Sequence, residues 1–476
     1  MRVVRMETLK QLRKALDDKK IGARELALQY LERAEKDTNN VYISITREEA
    51  LENADIAQKI IDSGQATILT GIPCSVKDNI CVAGASGIRA TCGSRMLENF
   101  VPFYDAEVIR ALKAQGYVLL GKANMDEFAM GNSNRTSAFG KVYNPCNADC
   151  VPGGSSGGGA AAVAADLCVY SIGTDTGGSI RQPAAHCGVV GFKPTYGRIS
   201  RVGVVEFAGS FDTVGPIAKT VEDCALIADA LCPDKSGSFG AGLEGEACNI
   251  KGAKIALVKE LFTDSVEANV KTAIVETVEL LKGLGAEVIE ASMPSLQYAA
   301  PAYFALSAAE GVSALSRFDG VKYGLKGNGA SYDEQLRDSR TRGFGDEVKR
   351  RIMLGNFVLS GENMEDYFRK ALAVKQQIMC EYDEVFSKAD VVVSPTSMRT
   401  AFAIDEPSDY VKIYSSTLYT VPANLAGLPS VSVPCNTTGM PVGLSITGRK
   451  FDEAGVLKIA GCVERVRKNC GGGQTQ

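Results

Sequence analysis

Residues 152–183 read PGGSSGGGAAAVAADLCVYSIGTDTGGSIRQP. Two Gly-Ser clusters, at 152–159 and 173–183, enclose the Ala-rich stretch Ala160–Ala165 and the apolar run Leu167–Ile172. Alanine is the strongest helix former, and a short apolar run between glycine-rich turns is typical of a buried strand. Flexible Gly-Ser linkers do not carry such neighbours. The stretch therefore predicts turn, helix, strand and turn within a folded core.

The same alternation continues outward along the chain. Upstream, Ile72–Val76 and Tyr117–Leu120 predict strands on either side of a predicted helix, Ala106–Gln115. Further strands are predicted at Ala253–Val258, Ala389–Ser394, Ser430–Pro434 and Val442–Thr447, and further helices at two segments within 7–36, Arg47–Ser63, Ser265–Leu284 and Asp452–Arg467. Strands that alternate with helices indicate the α/β class. We predict a large mixed β-sheet covered by helices on both faces.

The predicted domain organisation is a single domain over residues 1–470. Its chemistry-bearing core spans about 70–220. Residues 233–250 are rich in turn formers and predict a loop, and 310–345 are rich in glycine and charge and predict irregular structure. Residues 471–476 are predicted to be a flexible tail.

Composition excludes several classes of function. The 476 residues carry a net charge of −4 and no long basic run, so direct nucleic-acid binding is not predicted. No apolar run reaches the roughly 18 to 20 residues of a membrane span, and Met1–Leu16 lacks the apolar stretch of a signal peptide. We therefore expect a cytoplasmic protein. The 14 cysteines form no CxxC pair and predict reduced thiols, and the single histidine, His186, excludes multi-histidine metal sites.

The two Gly-Ser clusters lack the features of nucleotide-binding loops. Neither ends in Gly-Lys-Ser/Thr, and neither has the dinucleotide fingerprint. Gly153–Gly157 does match G-x-S-x-G, a pattern in which the serine needs a histidine. His186 lies seven residues beyond Ser179, about 10 Å along a helix, which is too far for a hydrogen bond. The sequence leaves open whether it reaches Ser155, and we predict that His186 is a packed core residue.

Without a histidine, a lysine is the natural base. Lysine acts as a base only when it is neutral, which requires burial or a neighbouring positive charge to lower its pKa from about 10.4. Lys77 follows the apolar stretch Gly71-Ile-Pro-Cys-Ser-Val and precedes Asp78-Asn79. A lysine at the end of a buried strand is placed to lose its water, although a solvated lysine in a turn would have the same local sequence.

Three segments together resemble the amidase signature family. They are Gly71-Ile-Pro-x-x-Val-Lys-Asp-Asn, Pro152-Gly-Gly-Ser-Ser-Gly-Gly and Thr174-Asp-Thr-Gly-Gly-Ser-Ile-Arg-x-Pro, with the two key serines 24 residues apart. The resemblance implies that Lys77 is the base, Ser155 a bridging serine that follows a cis peptide bond, and Ser179 the nucleophile. It also implies an oxyanion hole formed by backbone amides of Thr176, Gly177, Gly178 and Ser179.

Within this family the chain is similar over almost its whole length to the glutamine-hydrolysing subunits of tRNA-dependent amidotransferases. The supporting stretches are 124–131, 192–200, 316–323, 345–355 and 424–429. The resemblance implies release of ammonia from glutamine. It further implies two partners, a tRNA-binding B subunit together with a small C subunit. ATP and magnesium would be used by the partner, with no cofactor or metal on this chain.

The resemblance also assigns substrate contacts. Arg351 is expected to pair with the substrate α-carboxylate, and Tyr303 and the Met130–Gly131 backbone to help hold the substrate. The family places an aspartate where this chain has Thr417, so the glutamine ammonium lacks its expected partner. We expect this loss to weaken glutamine binding by about 1 to 3 kcal/mol unless another group compensates, and Asp405 or Asp409 could do so.

Three functional hypotheses follow. The first is the glutaminase subunit of a tRNA-dependent amidotransferase. The second, favoured by Thr417, is a free-standing amidase that acts on another carboxamide. The third is a non-catalytic structural subunit, and the presence of Lys77, Ser155 and Ser179 argues against it.

Overall fold

The computed structural model describes residues 8–84, 87–232, 238–241, 243 and 249–471. The strands in this part of the chain are β1 Tyr42–Ile45, β2 Pro73–Lys77, β3 Val118–Ala123, β4 Tyr170–Asp175, β5 Val190–Lys193, β6 Thr213–Ala218, β7 Lys254–Val258, β8 Glu287–Ala291, β9 Val391–Pro395, β10 Ser430–Pro434 and β11 Gly443–Gly448. The α-helices there are α1 Leu9–Asp17, α2 Ala23–Ala34, α3 Arg47–Asp62, α4 Glu107–Ala114, α5 Gly157–Ala164, α6 Arg181–Cys187, α7 Val221–Leu231, α8 Ala268–Gly283, α9 Ala299–Leu315, α10 Tyr332–Gly343, α11 Asp346–Leu359, α12 Lys370–Phe386, α13 Tyr410–Ser416, α14 Val421–Leu425 and α15 Glu453–Gly471.

All of these strands belong to one mixed sheet. Their order is β1-β3-β2-β4-β6-β5-β10-β11-β9-β7-β8. The pairs β3–β2, β2–β4, β9–β7 and β7–β8 are parallel, and the other pairs are antiparallel. Every residue of β2, β3, β4 and β6 is buried, which requires cover on both faces of the sheet. The predicted α/β class with a large mixed sheet is confirmed.

Most predicted elements are present, and one prediction is wrong. Residues 310–345 are not irregular throughout, because α9 runs to Leu315 and α10 occupies Tyr332–Gly343. A capping box in which Ser331 and Glu334 bond each other's backbone amides starts α10, and this local signal outweighs the low apolar content of the helix. The predicted loop at 233–250 and the tail at 471–476 lie largely outside the described residues.

The ends of three parallel strands determine where the site forms. In the register of the sheet, Lys77 at the end of β2 lies opposite Ala123, the last residue of β3. Val76 lies opposite Ile172 of β4, so Thr174 and Asp175 emerge beside Lys77. Because the carboxyl ends of parallel strands meet at one edge, the loops that follow β2, β3 and β4 converge there. In the part of the chain described, no helix is both long and apolar enough to cross a membrane.

Candidate active site

Lys77 lies in a buried cluster of hydroxyl groups. The residue is only 1% exposed. Its Nζ lies 2.7 Å from Ser155 Oγ, 2.8 Å from Ser156 Oγ and 3.0 Å from Thr174 Oγ1. The sequence segments that were predicted to supply base and bridging serine are therefore in direct contact.

The surrounding hydrogen bonds determine how the N–H groups and the lone pair of the Lys77 amine are oriented. Ser156 Oγ donates to the carbonyl of Thr174 at 3.1 Å, so it accepts an N–H from Lys77. Thr174 Oγ1 accepts from the Asn79 amide at 3.3 Å and is positioned to accept a second N–H of Lys77. A neutral amine has two N–H donors and one lone pair. With both donors taken, the lone pair is left for the hydroxyl of Ser155. Ser156 and Thr174 were not singled out from the sequence.

The charge state of Lys77 suits a base. Burial lowers its pKa to about 7, although the carboxylates of Asp126, Asp212 and Asp175 act in the opposite direction. Transfer of an ammonium ion out of water is costly, so a buried lysine gives up its proton more easily than an exposed one. A substantial neutral fraction is therefore present at neutral pH.

The two serines of the predicted relay come from neighbouring backbone segments. Ser156 N–H donates to the carbonyl of Ser179 at 3.1 Å, which joins the two Gly-Ser loops. The Gly154–Ser155 peptide bond is cis. Ser155 is fully buried, whereas Ser179 lines a cavity of about 570 Å³. Ser179 is thus the member of the pair that faces a substrate-sized space.

A buried ion pair holds the loop that carries Ser179. The Arg181 guanidinium donates to both carboxylate oxygens of Asp175 at 3.0 Å, and Asn424 Nδ2 donates to the same carboxylate at 2.9 Å. Burial alone would raise the pKa of Asp175, but Arg181 holds it below its usual range. Arg181 also donates to Asn424 Oδ1 at 2.6 Å. The network ties the signature segment to the distant stretch of sequence around 424.

This network corrects one predicted role. The amide of Gly178 donates to Asp175 Oδ1 at 2.8 Å and is therefore not available to an oxyanion. Within the described residues, the amides of Thr176, Gly177 and Ser179 have no hydrogen-bond partner and could donate to a bound oxygen. Gly177 also permits the close approach of Tyr303, since a Cβ at 177 would lie 2.6 Å from Tyr303 Cζ.

Arg351 projects into the cavity from α11. Its Nε donates to Glu347 Oε1 at 2.8 Å, and its guanidinium lies 4.4 Å from the centre of the Phe304 ring. Its Nη1 is buried and has no hydrogen-bond partner among the described residues. An unsatisfied buried donor costs free energy unless a ligand accepts from it. Arg351 therefore offers a charged donor to a carboxylate.

The other predicted substrate residues divide into two groups. Gly131, Tyr303 and Thr417 line the cavity. Met130 does not line it, because its side chain is fully buried and packs towards Gly311. The side chain of Met130 therefore has a packing role, and the predicted substrate contact of the Met130 backbone stays a prediction.

The two carboxylates that could compensate for Thr417 differ in position. Asp405 lines the cavity, but its Oδ1 is 2.6 Å from Lys141 Nζ and its side chain is 82% exposed. Asp409 Oδ1 instead accepts the amides of Val411 and Lys412 at the start of α13 and is not among the cavity residues. Neither is a buried, uncommitted anion.

His186 is buried away from the Lys77 cluster. Its Nε2 lies 3.4 Å from Ser397 Oγ and its Nδ1 lies 3.4 Å from the Gln182 amide. Burial lowers its pKa to about 4, so the ring is neutral. Within the described residues, no group of three His, Cys, Asp or Glu side chains is arranged to hold a metal ion.

Comparisons with known proteins bear on the family to which this chain belongs. The Amidase family model matches residues 25–457. A glutamyl-tRNA(Gln) amidotransferase subunit from Ruminiclostridium cellulolyticum is 46% identical over 474 residues, which cover 96% of each chain. The crystal structure of the corresponding glutamyl-tRNA(Gln) amidotransferase subunit from Thermotoga maritima is 36% identical, with a TM-score of 0.76, and the match covers 98% of this chain and 95% of that one. Peptide amidase from Stenotrophomonas maltophilia is 26% identical, with a TM-score of 0.82 and 98% of each chain covered. From the matched model and the similarity of these relatives over nearly their full length, the chain belongs to the amidase family.

Proposed function

We propose that this chain is the glutamine-hydrolysing subunit of a tRNA-dependent amidotransferase. The observation that carries the proposal is the buried contact of Lys77 with Ser155, beside a cavity that contains both Ser179 and the unsatisfied donor of Arg351. Lys77, Ser155 and Ser179 can cleave a carboxamide without a histidine. Arg351 can hold a substrate that carries a carboxylate.

In the first half-reaction, neutral Lys77 takes the proton of Ser155 as Ser155 takes that of Ser179. Ser179 Oγ then forms a bond to the side-chain amide carbon of glutamine, and the carbonyl oxygen becomes an oxyanion. The free amides of Thr176, Gly177 and Ser179 donate to this oxygen. These donors are oriented before negative charge develops on the oxygen. Stabilisation of this kind is usually the largest contribution to the rate acceleration in such sites.

The tetrahedral intermediate collapses with cleavage of the C–N bond. The proton held by Lys77 returns through Ser155 to the leaving nitrogen, which departs as ammonia. A glutamyl ester remains on Ser179. Water then attacks this ester with Lys77 again as base, releasing glutamate and restoring the serine.

The partners are inferred from the names of the relatives. Both amidotransferase relatives are named as one subunit of the enzyme, so they belong to multi-subunit amidotransferases. We assign to this chain a tRNA-binding B subunit together with a small C subunit, with ATP and magnesium used by the partner to activate Glu-tRNA(Gln) or Asp-tRNA(Asn). A net charge of −4 on this chain fits an arrangement in which the partner contacts the RNA. We infer that the assembly acts in the cytoplasm.

A free-standing amidase is the second candidate, and Thr417 favours it. Thr417 lines the cavity at the position where the family supplies an aspartate to the glutamine ammonium. A substrate without an ammonium group would not need that carboxylate.

The deciding experiment measures ammonia release from glutamine, asparagine and simple amides, with and without the co-expressed partner subunits. The proposal expects glutamine to be preferred and its hydrolysis to rise when the partner and its aminoacyl-tRNA are present. A Ser179→Ala variant should release no ammonia. Full activity on simple amides in isolation, with no partner recovered on purification, would support the second candidate instead.

A further inference from the structure

A buried carboxyl group in the cavity has no role in the relay. Glu127 follows β3, is only 2% exposed and lines the same cavity as Ser179 and Arg351. Its Oε1 accepts the Ser94 hydroxyl at 2.5 Å, and its Oε2 accepts the Gly345 amide at 2.9 Å. Each oxygen has one further lone pair, because an ionised carboxylate can accept about four hydrogen bonds.

Glu127 and Arg351 each bond a residue at the start of α11. Gly345 is the residue that immediately precedes α11, so its bond to Glu127 places the carboxyl group at the start of this helix. Arg351 reaches back along the helix to Glu347 in the first turn. Side chains on a helix point towards its N-terminus, which brings the guanidinium to the end where Glu127 lies. A small zwitterion could therefore contact both groups at once.

In the part of the chain that the structure describes, no cation forms an ion pair with Glu127. Among the described residues, no lysine or arginine lies within 4.0 Å of its carboxyl oxygens. Burial accordingly raises the pKa of Glu127 to about 7, with Lys349 lowering it and Asp346 raising it. A buried carboxyl group is stabilised in its ionised form when a positive charge arrives next to it.

The other carboxylates that line the cavity are already paired or exposed, and Asp346, the first residue of α11, is exposed. Glu347 binds Arg350 and Arg351, and Glu406 Oε1 lies 2.9 Å from Arg399 Nη1. Asp405 binds Lys141 and is mostly in solvent. Glu127 differs from these carboxylates because it is buried and, among the residues that the structure describes, has no ion-pair partner.

We propose that Glu127 receives the α-ammonium of the amino-acid substrate and takes the place of the carboxylate that is absent at 417. Arg351 would bind the α-carboxylate at the same turn of α11, and the side-chain amide would extend to Ser179. This assignment rests on the proposed function. The α-ammonium is the group that distinguishes glutamine from amides that carry only a carboxylate.

The test compares L-glutamine with glutaramate, which is glutamine without its amino group. Both substrates carry the carboxylate and the reacting amide, so the ratio of their kcat/KM values isolates recognition of the ammonium. We expect wild-type protein to prefer glutamine. Glu127→Gln should lower kcat/KM for glutamine by about 30-fold or more, mostly through KM, and change that for glutaramate by less than about threefold.

Ser94→Ala is the matched control. It removes a hydrogen bond to Glu127 but keeps the negative charge, so it tests support of α11 rather than charge recognition. Any loss in this variant should affect the two substrates equally. Glu127→Asp, which keeps the charge but shortens its reach, provides a second measurement if the amide variant does not fold, and it should lower the glutamine preference while retaining turnover of glutaramate.

Three results would overturn the proposal. Equal losses on both substrates in Glu127→Gln would reduce Glu127 to a helix cap. If Asp405→Asn lost the preference for glutamine over glutaramate while Glu127→Gln kept it, Asp405 and not Glu127 would be the group that binds the ammonium. Wild-type protein that hydrolyses glutamine but does not prefer it over glutaramate would show that the ammonium is not recognised. By contrast, hydrolysis of simple amides with none of glutamine would refute the proposed function itself.

Discussion

Replacement of Arg351 by methionine tests how the substrate is anchored. Methionine keeps an unbranched apolar side chain, but it removes the guanidinium and with it the charged contact on the Phe304 ring. Glu347 stays paired in this variant, because Arg350 also donates to it, at 2.8 Å from Nε. The change therefore removes one cavity-facing cation without leaving a buried carboxylate of the protein alone.

The expected magnitude follows from the donor that is free. Nε is committed to Glu347, so the buried Nη1 is the donor that the structure leaves for a ligand. A hydrogen bond to a charged group contributes about 1.5 to 3 kcal/mol. At about 1.36 kcal/mol per factor of ten, the loss corresponds to roughly 10- to 150-fold in kcat/KM. The carboxylate is bound equally in ground and transition states, so most of the loss should be in KM.

The assay is ammonia release from glutamine and from butyramide, which has no carboxylate. Arg351→Met should lose activity on glutamine and keep its activity on butyramide. Arg350→Met is the matched control, since the neighbouring arginine also binds Glu347 but does not line the cavity, and it should change glutamine kinetics by less than about threefold. Similar losses in both variants, or an equal loss on butyramide, would refute the assignment of Arg351 to the carboxylate.

Three further expectations concern the relay and its surroundings. Lys77→Met should lower kcat by about 100-fold or more, and Ser179→Ala should abolish turnover. Because burial lowers the pKa of Lys77 to about 7, wild-type kcat/KM for butyramide should rise with pH through that value and level off above it. A flat pH profile would contradict the assignment of Lys77 as the base. His186→Phe should be nearly silent in glutamine turnover, because within the described residues the ring bonds Gln182 and Ser397 at 3.4 Å and packs edge-on against Phe402, but does not bond Lys77, Ser155 or Ser179; a folded but inactive variant, checked by circular dichroism, would overturn the choice of base. Thr417→Asp should lower KM for glutamine by less than about tenfold, and an unchanged or higher KM would mean that the ammonium is fully paired elsewhere.

The motifs that contain the relay residues are local in sequence, and the resemblance to the amidase signature family assigned their roles. In the structure, Lys77 ends β2, Thr174 and Asp175 end β4, which pairs with β2 in parallel, and the loop to Ser179 follows β4. The strands and the glycine-rich turns are visible in local sequence, whereas their meeting at one sheet edge is seen only in the structure. The α/β class followed from the same alternation. Strands β1, β5, β6 and β8 were not predicted. The apolar residues of β5, β6 and β8 are interrupted by glycine, proline or charge, and β1 is only four residues long.

The parts that could not be predicted depend on long-range contacts. Gly178 suits an oxyanion hole by sequence, but its amide is taken by Asp175, which also binds Asn424, 249 positions away. Glu127 has no motif that marks it as a binding residue; its position in the cavity depends on Gly345, 218 positions away. No local pattern encodes such distances, so only the folded chain reveals them.

A lowered pKa alone would not have identified the base. Burial lowers the pKa of Lys193 to about 7 as well, the same value as that of Lys77. Yet the hydrogen bond that Lys193 Nζ makes within the described residues goes to the carbonyl of Pro194 at 3.0 Å, and Lys193 does not line the cavity. A carbonyl has no proton to give, so a neutral Lys193 has no partner to activate there. Lys77 differs in its neighbours, because three hydroxyl groups surround its nitrogen and one of them is left to the lone pair. A lysine with a lowered pKa can therefore act as a base here only because Ser155 lies beside it at the sheet edge. Moving the Ser155 hydroxyl away should abolish catalysis even if Lys77 kept its pKa.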